Sequence, residues 1–291
     1  MSGLLSAEFL RRLERLAPTA RRASASPFKG EHASARQGRS VEFSDFRDYS
    51  PGDDFRHIDW NAYGRLERLF LKLFREESEY AIYVLLDTSA SMGLAAEKAR
   101  YAKQVAAALT YISLCNFDRV LLGAVDARVV ARHGPMRGRA QALPAFKFLE
   151  ELPFQGVSNL NQALRDFTKH KHRRGIAIVI SDFLQEEDPF DGLKALRGQR
   201  HEVFAVQVLE PDELEPAVRG DLKLIDVETR AEQEVTVSET VLSAYRRVLD
   251  QYVEGLRSRC ARYGLGYALA PTSRPLEDLV FETLRRERLL A

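Results

Sequence analysis

Carboxyl and hydroxyl groups stand together at two points of the sequence where an apolar run ends. The run AIYVLLD covers residues 81–87 and closes with Asp87, which is followed by Ser89 and Ser91. The run IAIVIS ends at residue 181 and is followed directly by Asp182. Carboxylate and hydroxyl oxygens suit a hard cation such as Mg²⁺. The two segments therefore predict a divalent-metal site if the fold brings their ends together.

The elements that would position these residues follow a regular alternation. Apolar runs predict strands, stretches with helical spacing predict helices between them, and a helix is also expected after Asp87. Strands are expected at 81–87, 120–125, 175–181, 201–208 and 265–270, with helices at 140–151, 159–171 and 239–263. Fully apolar strands that alternate with helices predict an α/β fold with a doubly wound, mostly parallel sheet. Ligands of such sheets bind beyond the carboxyl ends of the strands, which is where Asp87 and Asp182 fall.

The rest of the chain predicts additions to this sheet. Residues 220–237 alternate like a β-hairpin and are expected at one edge of the sheet. Residues 6–16 predict an amphipathic helix with Ser6 as its cap. Residues 17–79 are polar and aromatic, with short β-like stretches such as 69–74. We therefore predict an N-terminal β-containing extension over residues 1–79 and an α/β domain over 80–291.

The pattern DxSxS at Asp87, Ser89 and Ser91 resembles the metal-ion-dependent adhesion site of von Willebrand factor type A domains. The segment GVSNLNQAL at 156–164 resembles the second loop of that site, with Ser158 in place of the usual Thr, and Ser181-Asp182 resembles the third. The resemblance spans about residues 80–270 and implies a Rossmann-like sandwich. The residues that it implies as ligands of Mg²⁺ (or Mn²⁺) are Asp87, Ser89, Ser91, Ser158 and Asp182.

The same resemblance implies what the metal would do. An open coordination position would take an acidic residue of a partner protein, in a charge-assisted contact. Phe183 stands where many members of the family have Gly, which predicts an altered rim of the site. A second interpretation stays open, in which Ser89 and Ser91 cap a helix and Asp87 is an ordinary acid at the end of a strand.

A second signature lies at residues 49–60, with the sequence YSPGDDFRHIDW. Together with GRSVEFSDFRDY at 38–49, it resembles the signature of the bacterial family catalogued as domain of unknown function 58. That family resemblance implies a role beside a MoxR-type AAA+ ATPase, in the assembly or activation of client proteins. Taken alone, the segment also fits a packed ion-pair corner. Its signature residues are Tyr49, Pro51, Gly52, Asp53, Asp54, Arg56, Asp59 and Trp60.

We expect a binding module and no enzyme. A phosphatase with an aspartyl nucleophile at Asp87 needs a second acid two positions later, and that position is Ser89. The sequence contains no GxxxxGK[ST], GxGxxG or GxSxG pattern. The alternative is a metal-dependent hydrolase that uses His57 with Asp53, Asp54 and Asp59.

Composition narrows the classes of partner and compartment. Lys and Arg (43) balance Asp and Glu (42), so a nucleic-acid partner is not expected. The two cysteines, Cys115 and Cys260, lack the spacing of a zinc site or a disulfide framework, which favours a reducing compartment. The first residues do not fit a secretory signal, and no segment approaches the roughly 20 apolar residues of a membrane span. A cytoplasmic protein without an integral membrane segment is predicted.

Overall fold

A computed structural model describes residues 3–24, 41–49, 55, 58–66, 68–76, 81–170, 172–185, 187–228 and 230–290. The chain divides into a larger compact unit, Met1–Ser26 with Tyr80–Ala291, and a smaller one, Pro27–Glu79. The predicted division at residue 79 is therefore wrong for the first helix, which it assigns to the N-terminal extension. That helix belongs to the larger unit because Phe9 and Leu13 on its apolar face are buried in the core of that unit.

Strands and helices follow one another along the described residues of both units. The strands are β1 (Val41–Asp48), β2 (Phe70–Glu76), β3 (Ala81–Asp87), β4 (Arg119–Val125), β5 (Val129–Met136), β6 (Gly175–Ser181), β7 (Glu202–Leu209), β8 (Gly220–Ile225), β9 (Glu232–Val237) and β10 (Gly266–Pro271). The helices are α1 (Ala7–Ser24), α2 (Trp60–Leu66), α3 (Ala96–Cys115), α4 (Ala142–Glu151), α5 (Leu160–Thr168), α6 (Phe190–Gly198), α7 (Pro211–Leu214), α8 (Glu239–Arg262), α9 (Leu276–Asp278) and α10 (Leu284–Arg286). Short 3-10 turns lie at Ser91–Gly93 and Arg139–Gln141, and a π-helical turn at Leu279–Thr283.

The described part of the larger unit contains a six-stranded sheet with the order β10-β7-β6-β3-β4-β5. The strand β3 lies at its centre and pairs in parallel with β4 and β6, whereas β5 runs antiparallel to β4. Every residue of β3 and β6 is buried, because helices cover both faces of the sheet. The predicted α/β class with a doubly wound, mostly parallel sheet is confirmed, and each of the five predicted strands ends within one residue of its expected bounds.

The two faces of the sheet bury separate hydrophobic clusters. Val84 and Leu86 of β3 point into a cluster with α1, α3, α4 and the C-terminal helices. Tyr83 and Leu85 alternate with them and point into a cluster with α5, α6 and α8. The alternation of one strand between two cores explains why β3 is apolar at every position before Asp87.

The predicted hairpin at 220–237 is present as the antiparallel pair β8 and β9. Its expected position at the edge of the main sheet is wrong. Among the described residues these two strands pair with each other and form a separate two-stranded sheet. Most of their side chains are exposed, so the hairpin stands on the surface of the larger unit.

The smaller unit contains an antiparallel pair of strands, β1 and β2, with α2 between them in sequence. The register shifts between Phe43 and Asp45, which indicates a β-bulge. The predicted strands of the N-terminal extension are thereby confirmed.

None of the helices in the described residues is long and apolar enough to cross a membrane. The cytoplasmic location stays a prediction.

Candidate metal centre

Asp87 lies at the carboxyl end of β3 and its side chain is fully buried. Its Oδ1 accepts a hydrogen bond from the Ser89 amide at 2.9 Å, and its Oδ2 accepts one from Ser181 Oγ at 2.6 Å. Ser181 ends β6, the parallel neighbour of β3. The ends of the two apolar runs therefore meet, as the sequence predicted.

Two hydroxyls follow this carboxylate. Ser89 Oγ lies 3.1 Å from Ser91 Oγ, within hydrogen-bond distance. Ser91 opens the 3-10 turn that precedes α3, and neither Ala90 nor Ala95, the cap positions of these two helices, has a side-chain capping bond. Ser89 and Ser91 therefore do not act as helix caps in this structure, contrary to the second interpretation. Ser89 is buried and Ser91 is half-buried, so the cluster opens towards Ser91.

The second loop lies against the first through backbone hydrogen bonds. The Ala90 amide donates to Gly156 O at 3.0 Å, and the Gln155 amide donates to Thr88 O at 2.8 Å. These bonds place the segment that contains Ser158 beside the segment that contains Ser89. The first and second loops of the predicted site are therefore in contact in the fold.

Ser158 itself has other partners. Its Oγ donates to Gln185 Oε1 at 3.4 Å, and its amide donates to Glu228 Oε2 at 2.9 Å. Gln185 Oε1 also accepts from the Leu160 amide at 3.0 Å, at the start of α5. Ser158 is half-buried next to the first loop, and its hydroxyl is directed to Gln185.

Asp182 follows β6 and is buried with 3% of its surface exposed. Its Oδ2 accepts from Lys98 Nζ at 2.8 Å, and Lys98 also donates to Glu213 Oε1 at 2.6 Å. Burial by itself lowers the pKa of Lys98, but the carboxylates of Asp182 and Glu213 outweigh it and raise that pKa. The ammonium of Lys98 is therefore charged, and it offsets the charge of Asp182.

Sequence reasoning missed Lys98. The residue lies in the first turn of α3, where a lysine is usually exposed, yet only 1% of it is exposed. A signal was present, because Lys98 has the same helical spacing as the buried residues Tyr101, Ala102 and Val105. A lysine at a core position of an apolar helix indicates a buried acid as its partner.

The third loop is held by contacts with β7 and α8. Gln207 Nε2 donates to Asp182 O at 2.8 Å, and the Tyr252 hydroxyl donates to Phe183 O. Phe183 adopts the left-handed backbone region, with φ of 57°, and its side chain is fully buried in the cluster under α5 and α6. The predicted alteration of the rim by this residue is wrong, since its ring points into the core.

The electrostatics of the centre are dominated by Asp87. Burial raises the pKa of Asp87 to about 7, and the carboxylate of Asp182 adds to the rise. Hydrogen bonds from Ser181 and Ser89 act in the opposite direction and are outweighed. A buried carboxylate with a raised pKa is stabilised in its charged form by a cation placed beside it.

The donor set fits a hard divalent cation. Asp87 and Asp182 supply carboxylate oxygen, and Ser89, Ser91 and Ser158 supply hydroxyl oxygen, a mixture that suits Mg²⁺ or Mn²⁺ with several retained waters. Among the described residues there is no group of three or more His, Cys, Asp or Glu side chains that could hold a metal. A site here depends on hydroxyls, with Asp87 as its least compensated charge.

The signature at 49–60 is described only in part. Asp59 is buried, and its Oδ1 accepts from the Ala62 amide at 3.2 Å, so it caps the start of α2. Trp60 is 62% exposed and packs edge-on against Tyr63, and Tyr49 is half-buried. The remaining residues of this signature and of the alternative hydrolase lie outside the described residues: Pro51, Gly52, Asp53, Asp54, Arg56 and His57.

The fold and this centre define an α/β protein with an oxygen-rich cluster at the carboxyl end of its central strands. The model of the family described as "Protein of unknown function DUF58" matches residues 45–253, and the chain belongs to this family. The resemblance of the sequence to the family catalogued as domain of unknown function 58 is thereby confirmed. Uncharacterized proteins of Mycobacterium bovis and Mycobacterium tuberculosis are 29% identical over 227 residues, which are 75% of this chain and 70% of each relative.

Solved structures with a partly similar fold come from two Bacteroides species. The conserved hypothetical protein BatB of Bacteroides thetaiotaomicron is 16% identical, with a TM-score of 0.44, over 72% of this chain and 96% of its own. An aerotolerance-related membrane protein of Bacteroides fragilis is 15% identical, with a TM-score of 0.45, over 72% of this chain and 98% of its own.

Proposed function

We propose that this protein is a metal-dependent binding module that docks an acidic side chain of a partner protein. Asp87, Ser89, Ser91, Ser158 and Asp182 would hold Mg²⁺ or Mn²⁺, some directly and others through water. The metal would supply a positive charge with an open position for a carboxylate. Such a module needs no general base, and we propose that it is not an enzyme.

The contact between Asp87 and Ser181 is the observation that carries this proposal. It joins the ends of β3 and β6 at 2.6 Å, and the same carboxylate accepts a hydrogen bond from the amide of Ser89, whose hydroxyl lies 3.1 Å from that of Ser91. The buried carboxylate of Asp87 gains from a nearby cation, and its neighbours leave the cluster open on the side of Ser91. A buried charge that lacks a counter-charge is costly, which supports a cation as part of the working protein.

For the partner, we propose a MoxR-type AAA+ ATPase or a client protein on which that ATPase acts. Membership of the family supports this choice, since the resemblance of the signature at 49–60 implies such an association. The module would contribute to the assembly or activation of the client in the cytoplasm. The chemistry of the site requires that the partner present an Asp or Glu side chain on an accessible segment.

Titration calorimetry of chelator-treated protein with Mg²⁺ and Mn²⁺ tests the site. We expect saturable binding in the native chain and a loss of at least tenfold in affinity in Asp87→Asn and Ser89→Ala. Glu97→Gln is the matched control, because this exposed acid lies on the first turn of α3 and its loss removes one negative charge near the site. Equal affinity in Asp87→Asn and in the native chain would contradict the proposal.

The partner is tested separately with a purified MoxR-type ATPase from the same cell. We expect co-elution of the two proteins in Mg²⁺, loss of co-elution in chelator, and loss in Asp87→Asn at any Mg²⁺ concentration. Retention of the complex in Asp87→Asn would show that the ATPase docks elsewhere.

A further inference from the structure

The hairpin of β8 and β9 reaches the candidate centre through one side chain. Its strands are largely exposed, and neither of the two hydrophobic clusters includes a residue of β8 or β9. A two-stranded hairpin is marginally stable alone. The position of the hairpin's turn therefore depends on the contacts that the turn makes with the rest of the larger unit.

The turn of the hairpin is built to present Glu228. The Asp226 amide donates to Ala231 O at 2.8 Å, and the Arg230 amide donates to Asp226 O at 3.0 Å, which closes the turn. The Glu228 amide donates to Asp226 Oδ1 at 2.9 Å, as in an Asx turn. The side chain of Glu228 is half-buried and points away from its own strands towards the second loop of the centre.

The contact joins residues that are 70 positions apart. Glu228 Oε2 accepts from the Ser158 amide at 2.9 Å, and the Ser158 hydroxyl is at the same time directed to Gln185. Ser158 is the second-loop member of the proposed site. An acid of the chain itself is thus placed against the site that we propose for the acid of a partner.

We propose that Glu228 is an internal placeholder for the partner's carboxylate, so that an external acid must displace the tip of the hairpin before it docks. This inference rests on the proposed metal-dependent docking. It names a form of regulation for that site, because any event that lifts the hairpin would increase the affinity for the partner. It also describes the partner's binding element as an Asp or Glu on an exposed turn, similar to the one that Glu228 occupies.

The simplest alternative is that Glu228 only fixes the loop before α5. The two possibilities differ in what happens to an external carboxylate. If Glu228 only fixes the loop, its removal should leave the binding of an external carboxylate unchanged or weaken it. If Glu228 is a placeholder, its removal should strengthen that binding.

The experiment uses the full chain loaded with Mn²⁺ and glutarate as a dicarboxylate probe. Binding of the probe is followed by the change in water-proton relaxation of bound Mn²⁺, in the native chain, in Glu228→Gln and in Glu228→Ala. Glu234→Gln is the matched control, because Glu234 is an exposed acid on β9 of the same hairpin. We expect both Glu228 variants to bind glutarate about tenfold more tightly than the native chain. This factor corresponds to one charge-assisted hydrogen bond that the probe no longer has to displace. Glu234→Gln should bind glutarate with the affinity of the native chain.

Amide hydrogen exchange gives a second readout that does not depend on the probe. Exchange at Ser158 and along residues 220–237 should be faster in Glu228→Ala than in Glu234→Gln. If every variant binds Mn²⁺ and glutarate with the affinity of the native chain, the placeholder is rejected while the metal site stands. If none of the proteins binds Mn²⁺, both the proposed function and the placeholder are rejected.

Discussion

Lys98 Nζ lies 2.8 Å from Asp182 Oδ2, and the two side chains are 1% and 4% exposed. The pair joins the first turn of α3 to the loop after β6, next to the candidate metal centre. Lys98 also contacts Glu213 at 2.6 Å, in the short helix α7 that follows β7. One buried ammonium therefore ties three elements together at the carboxyl end of the sheet.

Removal of Lys98 should destabilise the fold. Lys98→Met leaves Asp182 buried without its counter-charge, and we expect a loss of about 3–5 kcal/mol in the free energy of unfolding. Urea denaturation measures this, with Arg100→Met as the control, since Arg100 is exposed on the same helix. The double variant Lys98→Met/Asp182→Asn should regain part of the loss. If the effects of Lys98→Met and Asp182→Asn on the free energy of unfolding are simply additive in this double-mutant cycle, the ion pair does not contribute to stability.

The same substitution should strengthen metal binding. The fixed charge of Lys98 lies beside Asp182 and repels an incoming cation, and its removal also frees that carboxylate. We expect Lys98→Met to bind Mn²⁺ about tenfold more tightly than the native chain, which corresponds to about 1.4 kcal/mol. Calorimetry in dilute denaturant-free buffer measures this affinity, and Mn²⁺ should also raise the melting temperature more in the variant. Weaker binding in Lys98→Met would indicate that Lys98 holds Asp182 in the geometry that the metal needs.

The contrast between β3 and β5 shows what the sequence could predict about the fold. Every residue of β3 is buried, and its apolar residues form an uninterrupted run that ends at Asp87. Such a run is readily recognised as a strand from the sequence. The edge strand β5 alternates between exposed and half-buried positions and contains Gly134 and Pro135, which are typical of turns. It was therefore not predicted, although its pairing with β4 completes the sheet.

The candidate centre shows the same division between local and distant information. Asp87, Ser89 and Ser91 lie within five residues, and a local pattern was enough to group them. Lys98 and Asp182 are 84 positions apart, and Glu228 contacts Ser158 from a hairpin whose own alternation carries no information about its target. These contacts depend on how the loops pack at the end of the sheet, which no periodicity records.

Phe183 should respond unusually to truncation, because its backbone has φ of 57°. A side chain in this region costs about 1–2 kcal/mol, which glycine does not pay. Both Phe183→Ala and Phe183→Gly lose the buried ring, at roughly 3–5 kcal/mol. We expect the glycine variant to be at least as stable as the alanine variant, the reverse of the usual order. Urea denaturation of both proteins measures the order, and Phe167→Ala with Phe167→Gly in α5 should show the usual one.

Two histidines at the opposite end of the sheet should each contribute a loss of stability as the solution becomes acidic. His201 is 4% exposed and burial lowers its pKa, with His172 adding to the effect. Burial also lowers the pKa of His172, whose ring stacks on Phe167 with centroids 4.0 Å apart. Both rings therefore bind a proton less readily in the fold than in the unfolded chain, which takes up protons near pH 6.5.

The direction of the pH dependence of stability follows from this difference in bound protons. At these two histidines the unfolded state binds more protons below about pH 6.5, so their contribution to the free energy of unfolding should be constant above that pH and decrease below it, by at most about 1.4 kcal/mol per pH unit for each histidine. Asp87, whose pKa burial raises to about 7, contributes with the opposite sign, because the folded state holds its proton more tightly than the unfolded chain does. The slope that belongs to the histidines is therefore the difference between the native chain and a histidine variant. Urea denaturation between pH 8 and pH 5.5 measures the slope. His172→Phe, which keeps a ring against Phe167, should reduce the slope, and His170→Gln, at an exposed position, should leave most of it. An unchanged slope in His172→Phe would assign the acid sensitivity to His201 alone or to other groups.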